Sequence, residues 1–249
     1  MRKKANRIGE TNINCQGLKM TIISYRGTKD IDVQFEDGYV SHNKDYRYFK
    51  NGTMKSYFVP TVLGVGIIGG EDIDDKSYLI WFHMLRRCYD KKLHLKEPTY
   101  KEATCCEEWL NYQNFKKWFD ENYYEIDNDN MQLDKDILYK DNKIYSPETC
   151  IFVNQRINKL FIKRKAKRGS LPIGVTYNKR DNKIQARCDI NNGNGSKKFL
   201  GSFNTPEKAF KAYKEFKENY IKQVADEYKD KIPKKLYEAM YRYEVEITD

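Results

Sequence analysis

The chain has 249 residues, 46 Lys+Arg against 36 Asp+Glu for a formal net charge of +10, and a 14% share of aromatic residues. That length allows two or three small domains at roughly 100–200 residues each, and the aromatic content excludes a mainly disordered chain. No apolar run approaches the ~18 residues of a membrane helix, since the longest, Val62 to Ile68, is broken by Gly64 and Gly66. Met1-Arg2-Lys3-Lys4 is basic, but no apolar stretch follows it, so a secretory leader is not expected. The expectation is a soluble protein of the cytoplasm with no membrane partner.

Residues 1–17 are polar. From Met20 the pattern turns to short strands, Met20–Tyr25 and Ile31–Phe35, the second alternating apolar and polar residues. Glu36–Val40 reads as a turn into a further strand, and Asn51-Gly52 as another turn. A small β-barrel-like domain is expected over residues 18–60. Gly64, Gly66, Gly69 and Gly70 suggest a hinge behind it.

Two helical stretches follow. Tyr78, Trp81, Phe82, Leu85 and Cys88 recur at spacings of three and four, and Trp109, Tyr112, Phe115, Trp118 and Phe119 form a second apolar face. These aromatics read as core. Asp127–Asn130 breaks the second helix, and Gln132–Leu138 reads as a strand. After the turn at Lys140–Lys143 come Ile144-Tyr145, then Cys150–Val153 and Ile157–Phe161, leading into the basic linker Lys163–Arg168.

The last third is the clearest. Ile173–Tyr177, Lys183–Ile190 and Lys197–Phe203 read as three strands, the last two joined by a turn at Asn191–Gly195. Thr205 caps a helix with Pro206 at its first position and Glu207 in its first turn. Ala209, Ala212, Tyr213, Phe216 and Tyr220 give that helix one apolar face to cover the sheet. The expected fold class is α+β and multidomain. Its parts are residues 18–60, a helical and nuclease-like module at 71–161, a sheet-and-helix module at 170–224 and a helical tail at 225–249.

Charge is concentrated. Residues 154–224 hold 18 Lys+Arg and 5 Asp+Glu, a local +13, so the remainder of the chain sums to −3. A localised basic excess is the footprint of a polyanion partner, and nucleic acid is the simplest one. The six cysteines (Cys15, Cys88, Cys105, Cys106, Cys150 and Cys188) form no C-x-x-C pair and read as reduced, packing residues. Only three histidines are present, His42, His83 and His94.

Gly174-Val175, Lys183–Arg187, Phe199-Leu200-Gly201-Ser202-Phe203 and Thr205–Ala209 running into Ala212-Tyr213 follow one another as they do in the APETALA/ethylene-response-factor DNA-binding domain, which the stretch 172–221 resembles. The resemblance implies a three-stranded sheet docked in the major groove of double-stranded DNA. Carried over by position, the groove-facing residues are Tyr177, Lys179, Arg180, Lys183, Gln185, Arg187, Lys197 and Phe199. Thr176 and Asn178 stand where that family often has arginine, so its sequence preference does not transfer. Arg187 suits guanine and Gln185 adenine by bidentate geometry.

Leu133–Ile137, Asn142, Tyr145–Cys150 and Asn158 resemble the ββα-metal hairpin of HNH endonucleases, as found in phage and mobile-element proteins. The upstream segments Met84–Tyr89 and Trp109–Phe115 resemble stretches that precede it, and the N-terminal β region resembles a companion of such proteins. The resemblance implies a single Mg²⁺ or Mn²⁺ held by Asp134 and Asn158. Lys135 stands where the general-base histidine follows the aspartate, and no histidine occurs after His94.

Three routes remain open. Asp136 or a water serves as base, making Asp134, Asp136 and Asn158 the catalytic set; His83 or His94 folds back into the site; or the hairpin is a degenerate descendant kept for DNA binding. A rival class is a phage factor that binds a host protein, supported by the acidic balance outside residues 154–224.

Overall fold

The computed structural model describes residues 6–163, 169–190 and 196–249. The basic linker expected at Lys163–Arg168 (Lys163 aside) and the turn expected at Asn191–Gly195 lie outside the described residues. The chain is α+β, with several separate sheets, and it forms two compact units. The first comprises residues 1–101 and 105–119, the second residues 102–104 and 120–249. The stretch expected as one module at 71–161 is therefore shared between them.

In the first unit, β1 (Thr11–Ile13), β2 (Lys19–Gly27), β3 (Asp30–Phe35) and β4 (Val40–Lys44) form an antiparallel meander in that order. Alternation sends Met20, Ile22, Ile31, Val33 and Phe35 into one core with Tyr39, Phe49 and Met54. The turn at Asn51-Gly52 follows a short helix, α1 (Tyr46–Lys50), which Asp45 caps by accepting from the Arg47 amide. Helix α2 (Asp75–Tyr89) is capped by Asp74 and α3 (Lys91–Lys96) by Asp90; the two-residue strand β5 (Thr104–Cys105) and α4 (Tyr112–Asn122) follow in the chain, each with residues in both units.

The expected aromatic faces are core: Trp81, Trp109, Tyr112 and Phe115 are fully buried, and the Trp81 indole donates to Trp109 O at 2.6 Å. Gly66, Gly69 and Gly70 of the expected hinge are packed against side chains, while Gly64 is open. A Cβ on Gly66 would lie 2.6 Å from Leu85 Cδ1, and Ile67 donates its amide to Leu110 O.

In the second unit, β6 (Gln132–Asp134) and β8 (Ile151–Val153) pair antiparallel, Leu133 opposite Phe152, with the short β7 (Ile144–Tyr145) in the connection. Helix α5 (Gln155–Leu160) follows at once. Asn154, wholly buried, caps it by accepting from Ile157 N, while its amide donates to Asp129 Oδ2. Ile157 and Leu160, three apart, give α5 its one buried face.

Strands β9 (Val175–Asn178), β10 (Lys183–Asp189) and β11 (Lys197–Phe203) form a second antiparallel sheet with β10 in the centre. Helix α6 (Pro206–Glu227) covers one side, and its run to Glu227 crosses the boundary expected at residue 224. Thr205 caps it as expected, accepting from Lys208 N. Val175, Ala186, Cys188, Ala209, Phe210, Tyr213 and Val245 make the core, and α7 (Lys234–Arg242) packs against α6. Among the described residues no helix is long and apolar enough to cross a membrane.

Candidate nucleic-acid interface and metal hairpin

Partners across an antiparallel sheet share a face, so the register sorts the expected interface residues. Ala186 and Cys188 of β10 point into the core beneath α6. Lys183, Gln185, Arg187 and Asp189, of the other parity, therefore look away from α6. Their partners extend this open face: Asn178 and Thr176 on β9, and Ser202, Phe199 and Lys197 on β11. A bulge between Ala186 and Arg187 brings Arg187 opposite Phe199. The guanidinium lies 5.7 Å from the Phe199 ring centroid and donates to Gln185 Oε1 at 3.0 Å. Arg187 and Phe199 remain exposed, so the pair offers a held cation and an aromatic surface side by side.

Four expected residues are placed otherwise. Tyr177 pairs with Ile184, so it shares the helix-side parity, and its hydroxyl donates to Asn182 Oδ1. Gln185 is only 6% exposed, its amide oxygen held by Arg187, so it braces the arginine rather than standing free for a base edge. Arg180 and Lys179 are exposed in the β9–β10 turn, but Arg180 Nε pairs with Asp181 Oδ1 at 3.1 Å. The turn forms because Asn178 Oδ1 accepts from Arg180 N and Asp181 N. Lys183 and Lys197 are exposed and carry no ion pair among the described residues. Asp189, which the positional transfer passed over, sits on the same face; the period-two alternation of β10 was signal enough to find it.

The hairpin is built around Asp134. The strand expected over Gln132–Leu138 ends at this residue, because Asp134 Oδ1 accepts from Asp136 N at 2.9 Å and from Ile137 N at 2.8 Å, turning the backbone out of extension. Burial, with the neighbouring Asp136 charge, raises the Asp134 carboxyl to about 6, against the opposing pull of the two amides and Lys135. Gln132 lies two residues earlier on the same face of β6. Asn158 Nδ2 donates to Gln132 Oε1, which brings Asn158 to that face and leaves its Oδ1 for another partner. Gln132 was missed in the sequence, though its i−2 position marks it as a same-face neighbour of Asp134.

Lys135 Nζ donates to Asp136 Oδ2 at 3.0 Å and to Asn142 O at 2.9 Å, and its side chain is mostly buried. Asn142 in turn donates to Lys135 O and Ile144 O, tying the two arms of the connection together. The lysine is thus a structural cation of the loop. The unit that holds the hairpin contains no histidine; His83 and His94 belong to the other unit, where His94 Nε2 bonds Arg87 O.

Among the described residues no group of three or more His, Cys, Asp and Glu side chains is placed to hold a metal ion. A divalent cation at this hairpin would have Asp134 and the Asn158 amide oxygen as protein ligands and fill its remaining positions with water or phosphate oxygens, as Mg²⁺ commonly does. The raised Asp134 carboxyl fits that role, since a cation would offset the desolvation of its charge.

Comparison with protein-family models, with curated proteins and with solved structures finds no match for this chain.

The functional reading therefore rests on the geometry itself. An exposed sheet face carrying Lys183, Arg187, Lys197 and Phe199 is suited to a phosphate backbone and base edges. A desolvated carboxylate at Asp134, with Asn158 tied to the same strand through Gln132, supplies oxygens of the kind a hard cation takes.

Proposed function

We propose that the chain binds double-stranded DNA through the open face of the β9–β10–β11 sheet, and that its β6–β8–α5 hairpin is a divalent-metal phosphodiesterase site of the HNH type. The observation that carries this reading is the division of the sheet: apolar residues lie under α6, and Lys183, Arg187, Lys197 and Phe199 share the opposite, open side. A two-stranded or three-stranded ribbon fits the major groove, and Arg187, braced by Gln185 and Phe199, is the residue best placed to read guanine. Lys179, Lys183 and Lys197 supply phosphate contacts, which position the module without reading sequence. The resemblance to phage and mobile-element proteins puts this activity in the cytoplasm of a bacterial host.

At the hairpin, Mg²⁺ or Mn²⁺ would supply Lewis-acid stabilisation of the scissile phosphate and leaving oxygen. Asp134 and Asn158 would hold the cation. Gln132 orients the Asn158 amide, and the Asp136 and Ile137 amides orient Asp134. Asp136, two residues from Asp134, is the carboxylate nearest to it in the chain that would take a proton from water, and Lys135 holds it in place.

A second reading, a non-cleaving DNA-binding regulator, is favoured by Lys135. It stands in the general-base position with its ammonium committed to Asp136 and Asn142.

One experiment separates the two. Supercoiled plasmid is incubated with protein and Mg²⁺ or Mn²⁺, with EDTA and Asp134→Asn as controls, beside a gel shift of wild type and Arg187→Ala. Metal-dependent nicking lost in Asp134→Asn supports the nuclease. A shift weakened about tenfold in Arg187→Ala with no nicking supports the regulator; the tenfold figure corresponds to loss of one good bidentate contact at roughly 1–3 kcal/mol. No shift by the wild type overturns both.

A further inference from the structure

Residues 243–249 form an acidic segment, with Glu244, Glu246 and Asp249 and no lysine or arginine after Arg242. The segment is anchored well before Asp249. The Tyr243 ring meets Phe161 edge-on at 4.8 Å. Val245 is buried in the core of the sheet module, its amide donating to Glu218 Oε1 at 2.8 Å and its carbonyl accepting from Lys214 Nζ at 2.9 Å.

Asp249 then reaches the edge of the hairpin. Its Oδ1 lies 3.0 Å from Lys140 Nζ and 2.9 Å from Lys163 Nζ. Its Oδ2 accepts from Glu246 N at 2.9 Å and from Lys140 Nζ at 3.2 Å. The Asp249 side chain is 4% exposed. Burial pushes its carboxyl up, but the Glu246 amide and the two ammoniums outweigh this and hold it below the usual carboxylate range. Lys140 also pairs with Glu246 Oε1 at 3.1 Å and donates to Glu244 O, and Lys163 also pairs with Asp141 Oδ1 at 2.8 Å.

Two ammoniums and a backbone amide converging on one anionic oxygen pair are the donors that a phosphodiester oxygen pair takes. Lys140 stands six residues after Asp134 in the hairpin connection, and Lys163 opens the basic run Lys163–Arg168. A nucleic-acid backbone crossing the hairpin connection would meet both lysines, which converge on one carboxylate. We propose that Lys140 and Lys163 form a backbone-phosphate site, and that the Asp249 carboxylate occupies it as an internal competitor for nucleic acid. Because Val245 is held independently by Glu218 and Lys214, Asp249 can yield the site while the segment stays docked. The proposal rests on the DNA-binding reading above and adds a second contact region and its regulation.

The test is a gel-shift salt series on one fixed duplex, with thermal melting of every variant of the full chain. Variants are Glu246→Gln/Asp249→Asn, Asp249→Glu, Lys140→Ala/Lys163→Ala and the quadruple combination. Neutralising the two carboxylates is expected to tighten binding and steepen the slope of log K against log salt by about 1–2, at roughly 0.9 per added phosphate. Asp249→Glu is expected to keep the wild-type slope, and the quadruple variant to lose the gain. An unchanged slope in Glu246→Gln/Asp249→Asn, with wild-type binding intact, overturns this proposal alone. Loss of cooperative melting in that variant also overturns it, by making Asp249 a structural clamp. Absence of binding in every variant overturns the DNA-binding reading together with the proposal.

Discussion

Asp134 is where local chemistry and proposed function meet most closely. Its carboxylate ends β6 by accepting two backbone amides, and the same group is the candidate metal ligand. Its folded titration point near 6 lies above the value near 4 expected of an unfolded aspartate. The folded state therefore binds this proton more tightly. The stability it contributes is present in full below about pH 4 and is lost as pH rises through about 6. Asp134→Asn keeps an oxygen for the two amides and removes the titration. Thermal melts of wild type and Asp134→Asn across pH 4 to 7 are expected to diverge, the variant gaining on the wild type as pH rises. A constant difference across that range would show that Asp134 is not desolvated in the fold. The sequence marked Asp134 and Asn158 but not Gln132, which accepts from Asn158, because a motif names ligand types while the support of a ligand depends on which face of a strand it shares.

The sheet-and-helix module was the most legible element, and its residues explain why. Period-two alternation in Lys183–Asp189 and the Thr205-Pro206-Glu207 cap are local signals that no distant contact overrides. What the local pattern did not record is what lies on each side. Gln185 has the parity of an exposed residue yet is buried and held by Arg187, and Tyr177 has the parity of a core residue yet is exposed at the end of the sheet. Likewise Gly66 reads as a hinge residue until Trp81 and Leu85, which lie against it, are seen.

Gly174 shows a local requirement with a distant cause. Its φ is +77°, and a Cβ there would sit 2.0 Å from the Tyr213 ring of α6. Left-handed strain of about 1–2 kcal/mol adds to overpacking of about 1–3 kcal/mol. Gly174→Ala is expected to destabilise the chain by about 3 kcal/mol in urea unfolding. A loss under 0.5 kcal/mol would mean that Tyr213 swings aside and that the close approach of helix to sheet is not required.

At the scale of the whole molecule, the second compact unit joins segments of opposite charge. Residues 120–153, which carry the hairpin, hold nine Asp+Glu against three lysines, whereas residues 154–224 hold 18 Lys+Arg against 5 Asp+Glu. The sequence made this contrast visible, but not the long-range pairing that tempers it. Lys140 meets Asp249 across 109 residues, and Lys231 meets Asp127 across 104. On the proposed reading, phosphates drawn to the basic residues would also meet the carboxylates of the hairpin stretch, and a cation at Asp134 would relieve that repulsion.

Divalent ions ordinarily weaken protein–DNA binding because they compete for the phosphates, so the informative quantity is a difference between two proteins. Ca²⁺, which also takes oxygen ligands, replaces part of the NaCl at fixed ionic strength in a gel shift of wild type and Asp134→Asn. One unit charge acting over about 4 Å in a water-like medium contributes about 1 kcal/mol, roughly fivefold in affinity. The ratio of wild-type to variant affinity is expected to rise about fivefold on the exchange. An equal loss in both proteins would remove Asp134 from the metal site and leave the hairpin as a scaffold for the basic modules that follow it.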